Sequence, residues 1–188
     1  MLRSRGITPV HELPGVGENL RDHYSPRIKF AITGKNLTFN DNARGWRLMR
    51  EALKYAVFRT GFLASTAVPI RIYLRTREGL ETPDATISIL PFLYEMIGRQ
   101  RTVSKRQGIT MNANVLRSES TGSIHIKSAD PEVPPAIRFN FLSTEHDRAG
   151  ILAVIRKGPE LMATSPLMAI TGEEIGTGAG LQSDSVLL

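Results

Sequence analysis

Alternation is the first signal the chain gives. Between Pro26 and Thr33, Ile28, Phe30 and Ile32 alternate with Arg27, Lys29 and Ala31, the two-residue period of a strand with one buried face. Val68–Leu74, Ala85–Leu90 and Ile109–Leu116 read as further strands. Ser123–Lys127 is predicted to return as a hairpin after the turn Ser-Glu-Ser-Thr-Gly. A 3.6-residue period takes over twice. Asn42 can cap a helix running to about Arg59, with Trp46, Met49, Leu53, Ala56 and Val57 on one side and Gly61 ending it. Ser143 or Thr144 opens a second helix with Glu145 and Asp147 well placed in its first turn. Its apolar stripe is Ile151, Val154, Ile155, Leu161 and Met162, and Gly158-Pro159 should kink or split it.

The remaining stretches carry no period. The first 25 residues hold Pro9, Pro14, Gly15 and Gly17 and read as loop and turn. Pro91–Gly108 has the composition of a surface loop or lid, and 129–135 that of a rigid connector. Residues 172–180 are rich in glycine. The expected fold is therefore α+β: a mostly antiparallel sheet of about five or six strands, with helices packed on one face. The other face is left free to line something.

Composition narrows the classes. At 188 residues the chain fits one domain with attached pieces, and 41% hydrophobic content is enough for a core. With no cysteine, disulfides, iron–sulfur clusters and thiolate zinc sites are excluded. No apolar run is long enough to span a membrane, and Met-Leu-Arg-Ser-Arg-Gly lacks a signal-peptide core, so a soluble, cytoplasmic protein is expected. The net charge of +6 is spread along the chain, densest at Arg44–Arg50 and Arg99–Arg106. No nucleic-acid motif accompanies it, and no nucleic-acid partner is expected.

A search for chemistry finds little. His11, His23, His125 and His146 lack metal-ligand spacing, so no metal is expected. Ser118, Ser120 and Ser123 sit in no nucleophile elbow. Leu-Pro-Gly-Val-Gly-Glu-Asn contains part of a glycine fingerprint but lacks its third glycine and flanking helix. No catalytic residue is assigned.

Ordered motifs carry more. Leu13-Pro14-Gly15-Val16-Gly17-Glu18-Asn19-Leu20-Arg21-Asp22-His23 resembles the Val-Gly-x-Asn-Leu-x-Asp-His segment of the glucose–methanol–choline (GMC) oxidoreductases, flavoproteins that oxidise alcohols. Leu2–Ile7, Thr121–Pro131 with Pro134-Pro135, Asn140-Phe141-Leu142, Gly172–Ile175 and Gln182–Asp184 are similar to further family segments in the same order. The resemblance implies FAD and a small alcohol in a full-length parent. It marks Gly17, Asn19, Asp22 and His23 as motif residues near the FAD domain. Neither the family's Gly-x-Gly-x-x-Gly element nor its His-Pro-x-Gly-Thr stretch is present. The chain is therefore expected to be a central fragment, inactive alone and binding no FAD by itself.

On this reading, residues 1–25 are the exit segment of an FAD-binding domain, 26–170 the substrate-binding domain, and 171–188 the start of the return crossing. Departures matter too. Thr121 stands where the family usually has Arg, and Pro69-Ile70-Arg71 where choline-oxidising relatives are expected to carry an acidic residue. That leans toward an uncharged alcohol. Tyr73, Phe92 and Tyr94 are the candidate substrate-binding residues, from the strands and loop at the uncovered face. Self-association through the surface facing an FAD domain is a further expectation. The competing readings are a stand-alone binding module reusing the same sheet and, third, a basic nucleic-acid-binding domain.

Overall fold

A computed structural model describes residues 2–176. Its centre is a five-stranded antiparallel sheet built from β2 (Arg27–Ile32), β3 (Ile70–Leu74), β4 (Ala85–Leu90), β7 (Gly108–Val115) and β10 (Thr171–Ile175), in the order β10-β2-β7-β4-β3. β1 (Glu18–Leu20), β8 (Gly122–His125) and β9 (Ala136–Arg138) form a small sheet in the order β1-β8-β9. β5 (Tyr94–Ile97) and β6 (Gln100–Val103) form a separate ribbon. The two helices are α1 (Gly45–Phe58) and α2 (Glu145–Met162). The α+β class and the antiparallel pairing match the expectation. Among the described residues no helix is long and apolar enough to cross a membrane.

Register shows how alternation sorts the main sheet. Ile28 pairs with Met111, Met111 with Ile89, and Ile89 with Ile70. Paired residues point to the same side, so these rows make one apolar face. Phe30, Ile32, Ala85, Ile87 and Ala113 join it, and Val154 and Met162 of α2 close over it. The core is this single layer of side chains between β2-β7-β4 and α2.

Helix α2 starts where the sequence says. The Thr144 hydroxyl accepts from the Asp147 N–H at 3.3 Å, an N-cap bond. Gly158-Pro159 does not split it: the helix runs unbroken to Met162. Gly158 is needed for packing, since a Cβ there would sit 2.7 Å from Ile28 Cδ1.

Four expectations are corrected. First, α1 does not cover the sheet. It begins at Gly45, three residues beyond Asn42, and packs mainly on the short turn Phe62–Ala64. Trp46, Met49, Leu53 and Val57 are all exposed, and Glu51 is its one buried residue. The sheet face is already filled by α2, which leaves α1 no apolar surface there to share.

Second, Gly122–His125 does not return beside β7. Asp147 holds the turn after β7 by accepting from Ser118 Oγ at 2.7 Å, Glu119 N at 2.9 Å and Ser120 N at 2.8 Å. That carboxylate steers the chain off the main sheet, and β8 pairs with β1 and β9 instead.

Third, Pro91–Gly108 is not irregular. It folds as the β5–β6 ribbon around a turn at Gly98 (φ 62°), tied down by Asn40. The Asn40 amide donates to Leu93 O at 2.9 Å and Ser104 O at 3.0 Å, and its carbonyl accepts from Leu93 N at 3.0 Å. Fourth, the flanks are partly ordered by pairing. Glu18–Leu20 is a strand rather than loop, and Thr171–Ile175 forms a strand at the start of the glycine-rich stretch.

Candidate functional site

The second face of the main sheet differs in kind. Arg27 pairs with Asn112, Asn112 with Ser88, and Ser88 with Arg71, which gives a polar row straight across four strands. The neighbouring row runs Lys29, Thr110, Leu90. On the other side lie Asn114, Thr86 and Tyr73. No helix packs on these residues, yet Thr86, Ser88, Leu90 and Thr110 are buried, and Arg27, Arg71 and Tyr73 stay exposed at the borders. β2, β3, β4 and β7 carry no Asp or Glu on this side, and Glu173 of β10 is paired with Arg106.

The ribbon leans over one end of that surface. Tyr94, at the start of β5, has three cations around its ring: Lys29 Nζ at 5.2 Å, Arg27 Cζ at 5.6 Å and Arg101 Cζ at 5.6 Å from the centroid. Cations are drawn to the ring's negative face, each by about 0.5–1 kcal/mol where water still reaches them. Thr110 donates its hydroxyl to Phe92 O at 2.9 Å and so joins the ribbon's root to β7. Across the row, Arg71 Nε donates to Ser88 Oγ at 3.1 Å, drawing the guanidinium inward from the edge strand. Asn112 Oδ1 is buried and accepts no hydrogen bond among the described residues. A buried acceptor without a donor is costly, and it marks where a donor fits.

The sequence-predicted residues are distributed as follows. Tyr94 and Tyr73 both belong to the uncovered face, but β7 and β4 separate β3 from the strand beneath Tyr94. Tyr73 is exposed at the edge. Phe92 sits between Phe39, stacked at 6.3 Å, and Tyr94, tilted at 6.5 Å. It buttresses Tyr94. No sequence motif marks the polar row, although the alternation of Arg27 and Lys29 with apolar neighbours puts both on this side.

Gly17, Asn19, Asp22 and His23 gather elsewhere, at the small sheet. Gly17 has φ +85°, and its Cβ would lie 2.4 Å from Ile124 O, so only glycine lets β1 approach β8. Ile124 N donates to Gly17 O at 2.7 Å. Asn19 is also left-handed, at φ 57°. His125 Nε2 lies 3.0 Å from Glu18 Oε1. The Asp22 carboxylate accepts from His23 N at 2.7 Å. His23 Nδ1 is 2.9 Å from Val115 O, and since a carbonyl only accepts, Nδ1 carries the proton. These contacts fasten the first segment to the end of β7 and do not reach Tyr94.

Two carboxyl groups are displaced from their ordinary range. Burial works to raise Asp147, but its bonds from Ser118, Ser120 and Glu119 outweigh that and bring it down to about 2. Burial pushes Glu174 upward. Both belong to the scaffold. Among the described residues no His, Asp and Glu group could hold a metal ion. A groove of about 450 Å³ along α1, lined by Arg50, Glu51, Leu53, Lys54 and Phe58, is lined from that helix alone.

Comparison with known proteins gives the geometry a context. The GMC oxidoreductase family model matches residues 118–185. The chain is 33% identical over 187 residues to an oxygen-dependent choline dehydrogenase of Pseudomonas entomophila, and 32% to one of Xanthomonas axonopodis pv. citri. Each match covers 100% of this chain and 33% of the relative, so the chain spans about a third of those proteins' length. Among solved structures, a formate oxidase variant of Aspergillus oryzae superposes with a TM-score of 0.82 at 17% identity, covering 98% of this chain and 37% of that one. A fungal aryl-alcohol oxidase gives 0.73 at 18% identity, covering 99% and 38%. The fold is shared with both.

Proposed function

We propose that this chain, similar to GMC oxidoreductases along its whole length, is the substrate-domain portion of an FAD-dependent alcohol oxidoreductase of that family and forms the pocket wall rather than the reaction centre. The observation that carries this reading is the polar face of the main sheet, bordered by the exposed Arg27, Arg71 and Tyr73 and sealed by no helix, opposite the face closed by α2. In this reading residues 1–25 leave the FAD domain, 26–170 form the substrate domain and 171–188 begin the return. Within that last segment β10 (Thr171–Ile175) still pairs with β2 of the main sheet, and residues 177–188 lie outside the described residues.

FAD, when bound in such an enzyme, accepts the hydride from the alcohol. The described residues offer it no pyrophosphate cradle. Gly15-Val16-Gly17 leads into strand β1, so no helix N-terminus follows to meet the phosphates. What these residues do is bind and orient. Tyr94 and the polar row face the alcohol, Phe92 fixes Tyr94, Tyr73 borders the far edge, and the Asn40-anchored ribbon screens one end from water. Gly17, Asn19, Asp22 and His23 fasten the wall to the FAD-domain side.

The test restores what is missing. The corresponding third of the Pseudomonas entomophila relative is replaced by this chain, and flavin content and anaerobic bleaching by alcohols are measured. A yellow hybrid that bleaches is expected, with Phe92→Ala and Tyr94→Ala raising KM at unchanged flavin content. The isolated chain should be colourless and show no saturable FAD binding at micromolar concentration. It should sediment as a self-associating species if the uncovered face is the docking surface. A hybrid without flavin, or an isolated chain that becomes stoichiometrically yellow, overturns the proposal.

A further inference from the structure

We propose that the alcohol this chain recognises carries an anionic group, a hydroxy acid rather than a cationic or neutral alcohol. This rests on the substrate-wall reading above. The row Arg27-Asn112-Ser88-Arg71 has a guanidinium at each end and hydrogen-bonding groups between, and Lys29 and Arg101 add charge at the Tyr94 end. No ion pair neutralises Arg27, Lys29, Arg71 or Arg101 among the described residues. The nearby carboxylates are engaged: Glu95 with the Ser104 hydroxyl, and Glu173 with Arg106 at 2.7 Å.

Positive charge so concentrated is tolerable beside water. It becomes costly once a second body covers the face, unless an anion enters with it. A quaternary ammonium would meet repulsion here, where a carboxylate meets charge-assisted donors. The unpartnered Asn112 Oδ1 supplies the complementary half, because an acceptor in that row is satisfied by a hydroxyl that donates. Arg27 and Asn112 are paired on neighbouring strands about 4.8 Å apart, which puts a cation and an acceptor side by side on this face. A dinucleotide phosphate would want a glycine-rich turn at a helix N-terminus, and this face has none.

The experiment titrates the 188-residue chain with glycolate, ethylene glycol and choline, which present one hydroxyl with negative, neutral and positive ends. Acetate tests the hydroxyl, and inorganic phosphate tests a general anion site. Amide shifts at Lys29, Tyr94 and Asn112 are read by NMR. Glycolate should saturate in the millimolar range, about tenfold more tightly than ethylene glycol or acetate, with no saturable choline shift. Arg27→Gln/Lys29→Gln should erase the preference over ethylene glycol, and Asn112→Ala the preference over acetate.

Absence of saturable glycolate binding overturns the proposal. So does equal binding of choline, tighter binding of phosphate, or wild-type preferences in both variants. The outcome is separable from the oxidoreductase reading. Glycolate binding with a hybrid that never bleaches removes that reading and keeps the anion site, whereas a hybrid bleached by neutral alcohols without glycolate binding removes the anion site alone.

Discussion

The two faces of the central sheet come from the same five strands and obey opposite rules. On one, Ile28, Ile87, Met111 and Ala113 are buried against Val154 and Met162 of α2. On the other, Arg27, Lys29, Arg71 and Asn112 stand under a ribbon that reaches only part of the way across. Strand alternation alone explains the sorting, because each step along β2 switches faces. It teaches that this sheet is a partition: one side is the apolar core closed by α2, the other a polar surface with cations at its borders. The helices repeat the contrast. α2 spends its apolar stripe on the core, while α1, with an equally legible stripe, leaves Trp46, Met49 and Leu53 uncovered.

Truncation on the covered face should have the largest effect. Ile87 is 1% exposed, and Ile87→Ala should cost about 3 kcal/mol in urea unfolding, from lost transfer energy plus the cavity. Ser88→Ala, one residue along and on the other face, should cost under about 1 kcal/mol. Equal losses would break the partition.

The ribbon's anchor comes next. Asn40→Ala takes the side-chain partner from Leu93 N and Ser104 O and leaves Leu93 O with the Ser104 N–H alone, a loss of about 2 kcal/mol. Hydrogen exchange should quicken at the amides of Leu93 and Ser104, while those of Met111 and Ala113 stay protected.

Asp147 gives a pH signature to the covered side. Its folded pKa is lowered from the ordinary 3.8 to about 2, so its contribution is complete above about pH 4 and is lost as pH falls through about 2. The span corresponds to about 2 kcal/mol, and Asp147→Asn should remove that part of the acid dependence. Glu174 runs the other way: burial raises its pKa, so its charged form costs stability as pH rises. Glu174→Gln should therefore stabilise slightly at neutral pH. Opposite signs in either acid profile would sharpen or displace these assignments.

The smallest effect should be on α1. Leu53→Ser should change the unfolding free energy by less than about 0.5 kcal/mol, since the side chain is already 66% exposed. A core-sized loss would show that α1 is covered in solution.

The strands β2, β4 and β7, the α2 cap at Thr144 and the sheet's two faces were legible in the sequence, because period and capping chemistry act within a few residues. The resemblance to the GMC oxidoreductases was legible from motif order, in Gly17–His23 and Thr121–Pro131. Tyr94 was found as an aromatic at the root of the Pro91–Gly108 stretch, but its cations were not paired with it. That pairing joins residues 27, 29 and 101, which no local pattern connects. Long-range contacts likewise decided the rest. Asp147 turns β8 away from β7, Asn40 makes a ribbon of an apparently irregular stretch, and α2 occupies the face that α1's stripe also suited. An amphipathic pattern states that a face must be buried, and only the competition among elements for the sheet decides which one is.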